Sequence, residues 1–155
     1  MIRNTFGNGY SKVLGGMKMD AKQILLSGGY TCVLTDGQRA FTSTDRGVKP
    51  LVRFLESGEI PAGVSAADKV VGRATAYLYV LLKVKAVYSQ IISQPAVDVL
   101  RENGVQVAYD KLVPNIINRK GDGICPFEAA VMDISSPDLA YIAIRKKMTE
   151  MNIAL

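Results

Sequence analysis

Helix and strand patterns alternate along this chain after a hairpin signal. Asp36-Gly37 separates two runs rich in strand-forming residues, 30–34 and 38–42, and Asp-Gly is a preferred hairpin turn. Further strand patterns at 86–92 and 105–109 are each preceded by a helix pattern. This order predicts an α/β fold, a three-layer α/β/α sandwich with a mixed sheet whose antiparallel part is the hairpin.

The helices are predicted from capping residues, prolines and apolar spacing. The helix at roughly 66–82 has the strongest bearing on function, because Ser65-Ala66-Ala67-Asp68 matches a capping box and would place Asp68 at a helix start. Its apolar residues cover most of its surface, so we expect it to be largely buried against the sheet. The other predicted helices cover residues 21–27, 50–57, 96–102, 126–132 and 136–151.

Length and composition indicate one domain. The chain has 155 residues, of which 48% are hydrophobic, enough to bury a core. We expect residues 1–19 to be a weakly structured N-terminal extension and residues 20–155 to form the domain. The longest apolar stretch, 74–87, contains Lys83 and Lys85 and is too short to span a bilayer. No secretory signal is visible and two cysteines make no disulfide scaffold, so the sequence predicts a soluble cytoplasmic protein.

The net charge of +5 is spread along the chain rather than concentrated in an arginine-rich block. The sequence therefore gives only a weak indication of nucleic-acid binding. A local binding site for an anion is the simpler explanation of the net positive charge. Basic residues lie on or beside predicted strand-to-helix junctions, where helix N–H groups favour anions. These residues are Arg46, Lys49, Lys69 and Arg119. They predict an anionic or phosphorylated ligand; the alternative is that they are solvated surface cations.

The chain contains no histidine. Within one chain, this excludes Ser-His-Asp triads, Cys-His dyads and histidine metal ligands. Any general base must be Asp, Glu, Lys, Tyr or water. The sequence also lacks a Gly-x-x-x-x-Gly-Lys-Ser/Thr phosphate loop.

Cys125 is the most specific candidate for a reactive residue. It precedes Pro126 at a predicted helix start, with Arg119 and Lys120 upstream and Glu128 three residues later. A helix N-terminus and nearby cations favour the thiolate, and Glu128 would be the general base or acid. Two plainer interpretations stay open. In one, Cys125 only contacts a ligand. In the other, Cys-Pro-Phe-Glu is a capping box with cysteine in the serine position, and Glu128 bonds back to the backbone.

Two further clusters carry charge at predicted helix starts. Asp68-Lys69, an adjacent acid and base, would steer protons, unless Asp68 only completes its capping box and Lys69 is solvated. Ser43 would donate a hydrogen bond to a ligand whose phosphate is bound by Arg46 and Lys49.

Two residues have weaker functional signals. Ser93 precedes Gln-Pro, where a serine often only stabilises a turn. Cys32 lies in an apolar strand pattern and is predicted to be a core residue.

Five short motifs, taken together, carry a family likeness. They are Thr31-Cys32-Val33-Leu34, Arg46-Gly47-Val48-Lys49-Pro50-Leu51, Ala67-Asp68-Lys69-Val70-Val71-Gly72, Asn118-Arg119 and Cys125-Pro126-Phe127-Glu128. They resemble a prokaryotic family of domains of unknown function that is assigned to the cytidine deaminase-like fold. The likeness covers roughly residues 20–150. It implies an α/β/α sandwich with a mixed sheet that opens on a hairpin.

The resemblance also implies a site without zinc. In zinc deaminases, one helix start carries His/Cys-x-Glu and the next carries Pro-Cys-x-x-Cys. The corresponding places here would be Asp68-Lys69-Val70 and residues 95–99, where Val70 replaces the glutamate and Ala96 and Val99 replace the cysteines. The fold would persist around a rebuilt site. That site would consist of Asp68, Lys69, Cys125 and Glu128, surrounded by Ser43, Arg46, Lys49, Ser93, Asn118 and Arg119.

The leading hypothesis is a deaminase-like-fold domain that binds a nucleotide or similar phosphorylated small molecule, with no metal or cofactor. If it is an enzyme, Cys125 is the nucleophile and Glu128 or Asp68 carries the proton. The second hypothesis is a non-enzymatic ligand-binding or regulatory module. The third is a nucleic-acid-binding domain, which the pI of about 9.2 favours. A homo-oligomer is compatible with the sequence, and no membrane partner is expected.

Overall fold

The computed structural model describes residues 2–4, 10–14 and 19–155. Its strands are β1 (Ile2–Asn4), β2 (Tyr10–Leu14), β3 (Cys32–Thr35), β4 (Arg39–Ser43), β5 (Ser65–Val71), β6 (Ala86–Ser93) and β7 (Gln106–Val113). Its helices are α1 (Ala21–Gly28), α2 (Lys49–Ser57), α3 (Arg73–Leu81), α4 (Gln94–Glu102), α5 (Pro126–Val131) and α6 (Pro137–Glu150). Within these described residues, no helix is both long enough and apolar enough to cross a bilayer.

The strands form one mixed sheet in the order β1-β2-β4-β3-β5-β6-β7. β3 and β4 make the antiparallel hairpin around Asp36-Gly37, as the sequence predicts. β3 also pairs antiparallel with β5, which places Cys32 directly opposite Asp68. β5, β6 and β7 run parallel to one another. The predicted α/β class with a mixed sheet is therefore confirmed.

Helices cover both faces of the sheet. Neighbouring residues on β5, Ala66 and Ala67, belong to two different apolar clusters, and successive side chains of a strand point to opposite faces. The larger cluster lies between the sheet and the helices α2 to α6. The smaller one lies under α1, which packs on β3 and β5.

The predicted helix at 66–82 is wrong over its first six residues, 66–71. Residues 65–71 form β5, and α3 begins only at Arg73, after Gly72. β5 is an interior strand of the sheet with an apolar cluster packed on each face, so its residues are apolar towards both faces. A short run of that kind cannot be told from a buried helix by periodicity alone. The capping box at Ser65 does not exist, and Asp68 is a strand residue rather than a helix start.

The predicted N-terminal extension, residues 1–19, lies partly outside the described residues. Its described backbone includes β1 and β2, which pair antiparallel with each other, and β2 pairs in turn with β4. Met19 is buried, and its N–H donates to the carbonyl of Gly37 in the hairpin turn. The described part of this segment thus continues the sheet, while the domain boundary at residue 20 stays a prediction.

Candidate functional site

A cleft of about 1200 Å³ lies where β5 ends and where α2, α3 and α5 begin. Its lining comes from residues 44–50, from the end of β5 and the start of α3, and from the segment 116–128. Met151 and Ile153, which follow α6, also line it. Open α/β sheets bind their ligands at such places, outside the carboxyl ends of the strands.

The structure brings most of the predicted site residues to this cleft. Those that line it are Arg46, Lys49, Asp68, Lys69, Asn118, Arg119, Cys125 and Glu128. Ser43 and Ser93 do not line it, and both are buried. The Ser43 hydroxyl accepts from the N–H of Asp45 in the loop before α2. The Ser93 hydroxyl accepts from the N–H of Ala96 and caps α4. Their position corrects the expectation that they contact the ligand.

Asp68 is one of two buried acids that line the cleft, Glu128 being the other, and its residue exposure is 8%. Its Oδ2 accepts from the Tyr79 hydroxyl at 2.6 Å, and its Oδ1 accepts from the Val70 N–H at 3.3 Å. Burial raises the pKa of the Asp68 carboxyl to about 7, against the opposing effect of these hydrogen bonds. The two forms of this acid are therefore both populated at neutral pH, which is the condition for proton exchange there.

Tyr79 and Cys32 extend this buried cluster. The Cys32 Sγ lies 3.3 Å from the Tyr79 hydroxyl. Because that hydroxyl donates its proton to Asp68, the thiol is the donor to the tyrosine oxygen. Burial and then the nearby Asp68 charge hold the pKa of the Cys32 thiol well above its usual range. Cys32 is a core residue, as predicted, and it also lines the cleft. Tyr79 is not predicted as a site residue from the sequence, because its position within an apolar helix gives no signal of a polar partner.

Glu128 caps α3 from across the fold. Its Oε1 accepts from the N–H of Arg73 at 2.7 Å and its Oε2 from the N–H of Ala74 at 3.0 Å. Burial raises the pKa of this carboxyl, although the two N–H bonds and the Arg73 charge oppose the shift. The predicted capping box, in which Glu128 bonds to its own helix start, is wrong. The orphan N–H groups of α3 are the partners instead.

Gly72 makes that contact sterically possible. A Cβ at this position would overlap the Glu128 carboxylate and lie 2.6 Å from its Cδ. The backbone of Gly72 is ordinary, with φ −101° and ψ −178°. Close approach, rather than an unusual conformation, therefore requires a glycine here.

Cys125 stands at the N-cap of α5 and is half-buried in the cleft. Its thiol makes no capping hydrogen bond. Its backbone is fixed by an N–H donated to the carbonyl of Ile116 and by a carbonyl that accepts from Ala129. The interpretation of Cys125 as a side-chain cap is therefore wrong. Ligand contact and nucleophilic catalysis both stay predictions.

The loop before α5 is braced by an Asn118–Asp122 pair. The Asn118 amide donates to the Asp122 carboxylate at 2.7 Å and accepts from the Asp122 N–H at 3.2 Å. Gly121, with φ 75°, turns the chain between them. This bracing presents Arg119 and Lys120 on the turn, where both are exposed and both line the cleft. Asn118 shapes the loop that carries the cations.

The family follows from comparison with known sequences. A family model described as a domain of unknown function, DUF1893, matches residues 20–148. The chain belongs to the DUF1893 family. A crystal structure of a DUF1893 family protein (TM1506) from Thermotoga maritima is similar, with a TM-score of 0.71 and 26% identity, over 89% of this chain and 97% of that one. No curated protein matches the chain. The predicted likeness to a family of domains of unknown function is confirmed.

Zinc does not fit the residues of this DUF1893 cleft. The helix starts that follow the hairpin are those of α2 and α3, at Val48-Lys49-Pro50 and Gly72-Arg73-Ala74. Neither supplies a thiol or carboxylate, and Ala96, at the start of α4, is an apolar core residue. Across the part of the chain that the structure describes, no group of three or more Cys, Asp or Glu could hold a metal ion. The placement of the deaminase motif at Asp68 is also wrong, because Asp68 lies within β5.

The cations and the acids that line the cleft differ in whether they have partners. Five cations line it: Arg46, Lys49, Lys69, Arg119 and Lys120. Ion pairs among the described residues involve none of these five. The acids of the lining, in contrast, are engaged. Asp45 pairs with Arg53 at 3.4 Å, Asp122 bonds to Asn118, Glu128 caps α3 and Asp68 is partly protonated at neutral pH. The cleft therefore presents positive charge to an incoming ligand.

Proposed function

We propose that the cleft binds an anionic small molecule, a nucleotide or another phosphorylated compound, without zinc. The observation that carries this proposal is the set of five cations, unpaired within the described residues, around a cleft of about 1200 Å³. A cavity of this size encloses a drug-sized or nucleotide-sized ligand. Low-dielectric walls around cations of one sign concentrate anions at such a site.

The start of α2 supports a phosphate position. The N-cap residue is Val48, which has no side chain able to accept from the first N–H groups of this nine-residue helix. Residues 46–50 line the cleft, so the Lys49 N–H and the side chains of Arg46 and Lys49 belong to the same wall, while Pro50 has no N–H to donate. Helix N–H groups together with cations are a common arrangement for binding phosphate.

An apolar wall supports an organic ligand rather than an inorganic anion. Ile116, Ile117, Phe127, Met151 and Ile153 line the cleft together with the cations. Ile117 and Met151 are 54% and 43% exposed, so they offer apolar surface that a bound ring would cover. Such burial favours a heteroaromatic group attached to the phosphate, as in a nucleotide.

We also infer that the fold is of the cytidine deaminase-like type. The support is the order β4-β3-β5-β6-β7, in which an antiparallel hairpin leads into three parallel strands with a helix between successive strands. This agrees with the resemblance carried by the sequence motifs. Such a fold supplies the scaffold for a ligand site at the strand ends.

Replacing Arg46 and Lys49 together by glutamine is expected to weaken nucleotide binding about tenfold or more, because two charge-assisted contacts to phosphate are lost. Isothermal titration calorimetry with AMP, CMP, GMP, UMP and inorganic phosphate measures the affinity. The matched control is Lys111→Gln with Lys146→Gln, which removes the same charge at exposed residues outside the cleft. Equal losses in both double variants, or no binding of any nucleotide to the wild-type protein, would overturn the proposal.

Cys125 is expected to react with iodoacetamide in the folded protein, while Cys32 is not, because Cys32 is only 1% exposed. Mass spectrometry after labelling should show one adduct in the wild-type protein and none in Cys125→Ser. A saturating nucleotide should slow the labelling several-fold if the ligand covers the thiol. Unchanged labelling in the presence of bound nucleotide would place the ligand away from Cys125 and remove the nucleophile hypothesis.

A further inference from the structure

A buried polar cluster borders the proposed ligand site. It consists of Asp68, Tyr79 and Cys32, joined by the hydrogen bond from Tyr79 to Asp68 and by the contact between Tyr79 and the Cys32 thiol. Both Asp68 and Cys32 line the cleft, while Tyr79 is fully buried behind them. The carboxyl is thus held in one orientation by a residue that cannot itself reach a ligand.

Among the residues that the structure describes, no cation neutralises the Asp68 carboxyl at close range. On β3 the facing group is the Cys32 thiol, on α3 it is the Tyr79 hydroxyl, and on β6 the paired residue is Ser89. α1 packs on the other face of β5, through Ala67. The ion pairs within the described residues do not include Asp68. Lys69, the next residue of β5, is exposed, and a side chain after Asp68 on a strand points away from it.

This arrangement creates a conflict for an anionic ligand. A phosphate drawn into the cleft by its cations approaches a carboxyl that is partly ionised at neutral pH, because burial raises the pKa of Asp68 to about 7. A second negative charge within about 4–6 Å favours the protonated form of a carboxyl by one to three pKa units. Protonation removes the repulsion and leaves an O–H group that can donate to the ligand.

We propose that ligand binding in the cleft is coupled to protonation of the Asp68 carboxyl, with Tyr79 as the positioning residue. The inference rests on the proposed function, since it concerns the same cleft and an anionic ligand. The inference adds that the protein takes up a proton when the ligand binds. The bound ligand then lies beside a neutral Asp68 carboxyl. That acid is then in position to donate a proton to the bound molecule.

The test is calorimetry in buffers of different ionisation enthalpy, with the nucleoside monophosphate of the four that binds most tightly. We expect the wild-type protein to take up roughly half a proton at pH 7, and Asp68→Asn to lack that uptake. Relative to Asp68→Asn, the wild-type affinity should fall about fivefold to tenfold between pH 6 and pH 8. The comparison with Asp68→Asn cancels the titration of the phosphate itself, because the same ligand is used throughout.

Two further variants separate this coupling from a structural effect. Asp133→Asn, which removes an exposed carboxylate outside the cleft, should keep the wild-type uptake. Tyr79→Phe removes a hydrogen bond that lowers the pKa of Asp68, so it should shift the pH at which uptake is maximal upwards. Binding with equal proton uptake in wild type and Asp68→Asn would overturn the inference and leave the proposed function standing. If no probe binds the wild-type protein, both fail.

Discussion

Asp68→Asn is expected to be more stable than the wild-type protein by about 2–4 kcal/mol at pH 8, and close to it in stability below pH 4. The carboxyl has a pKa of about 7 in the folded protein, because it is buried, and about 3.9 in an unfolded chain. As pH rises from about 4 to about 7, the unfolded chain releases this proton and the folded protein retains it. The wild-type protein therefore loses stability over that window, and asparagine removes the loss.

The hydrogen bonds of the cluster are compatible with this variant. An asparagine oxygen still accepts from the Val70 N–H, as Oδ1 of Asp68 does. Its amide can donate to the Tyr79 oxygen, after which the Tyr79 hydroxyl turns to donate to the Cys32 sulfur, 3.3 Å away. The replacement thus removes the buried charge while leaving each polar atom with a partner.

Urea denaturation of both proteins from pH 3.5 to pH 8.5 measures the effect. Only the difference between the two curves reports on Asp68, because Glu128, whose pKa is also raised by burial, gives a slope of the same sign in both proteins. The control Asp133→Asn changes an exposed carboxylate and should follow the wild-type curve. A difference between Asp68→Asn and wild type that does not vary with pH would show that Asp68 titrates normally.

A gain in stability on removing a cleft residue would also bear on function. Proteins keep a destabilising buried acid where its chemistry is needed, so stability and activity trade against each other at such positions. The same variant that stabilises the free protein is expected to lose the proton uptake that accompanies binding. The two measurements together distinguish a residue kept for a ligand from one kept for packing.

The sequence predicts the helices and strands whose ends are marked by turn or helix-starting residues. Asp36-Gly37 marks the hairpin, and Pro126 and Pro137 begin their helices, because each of these signals acts within a few residues. The sequence of β5 predicts a helix because its apolar residues face both sides of the sheet, and that pattern fits either structure. Only the pairing of Cys32 with Asp68 decides between them, and pairing depends on distant parts of the chain.

The sequence predicts which residues line the cleft better than it predicts the hydrogen bonds that they make. Cations near strand-to-helix junctions predict an anion site, and the structure gathers Arg46, Lys49 and Arg119 around one cleft. The bonds from Glu128 to the start of α3, 54 and 55 residues away in sequence, have no local pattern. Tyr79 is missed for the same reason. A residue type can be read from a sequence, but its partner across the fold cannot.

Gly72→Ala is expected to destabilise the protein by about 2–4 kcal/mol, through steric overlap and loss of a helix cap. Alanine would be tolerated by the backbone conformation of Gly72, and in such a case it usually stabilises slightly. The destabilisation must therefore come from the new Cβ, which would meet the Glu128 carboxylate and lie 3.0 Å from the Ile116 Cγ1. Displacing Glu128 would leave the N–H groups of Arg73 and Ala74 without their acceptor.

A double-mutant cycle isolates this contact. Glu128→Ala alone should cost about 2–3 kcal/mol, because it removes two charge-assisted hydrogen bonds, one buried and one partly buried. Gly72→Ala introduced into Glu128→Ala should then cost much less, because only the Ile116 Cγ1 remains close to the new Cβ, so the double variant is less destabilised than the sum of the single ones by about 2 kcal/mol. Gly123→Ala is the matched control, since its Cβ would meet only the Asn118 amide at 3.7 Å. Additive losses for Gly72 and Glu128 in urea denaturation would mean that the two residues do not share a contact.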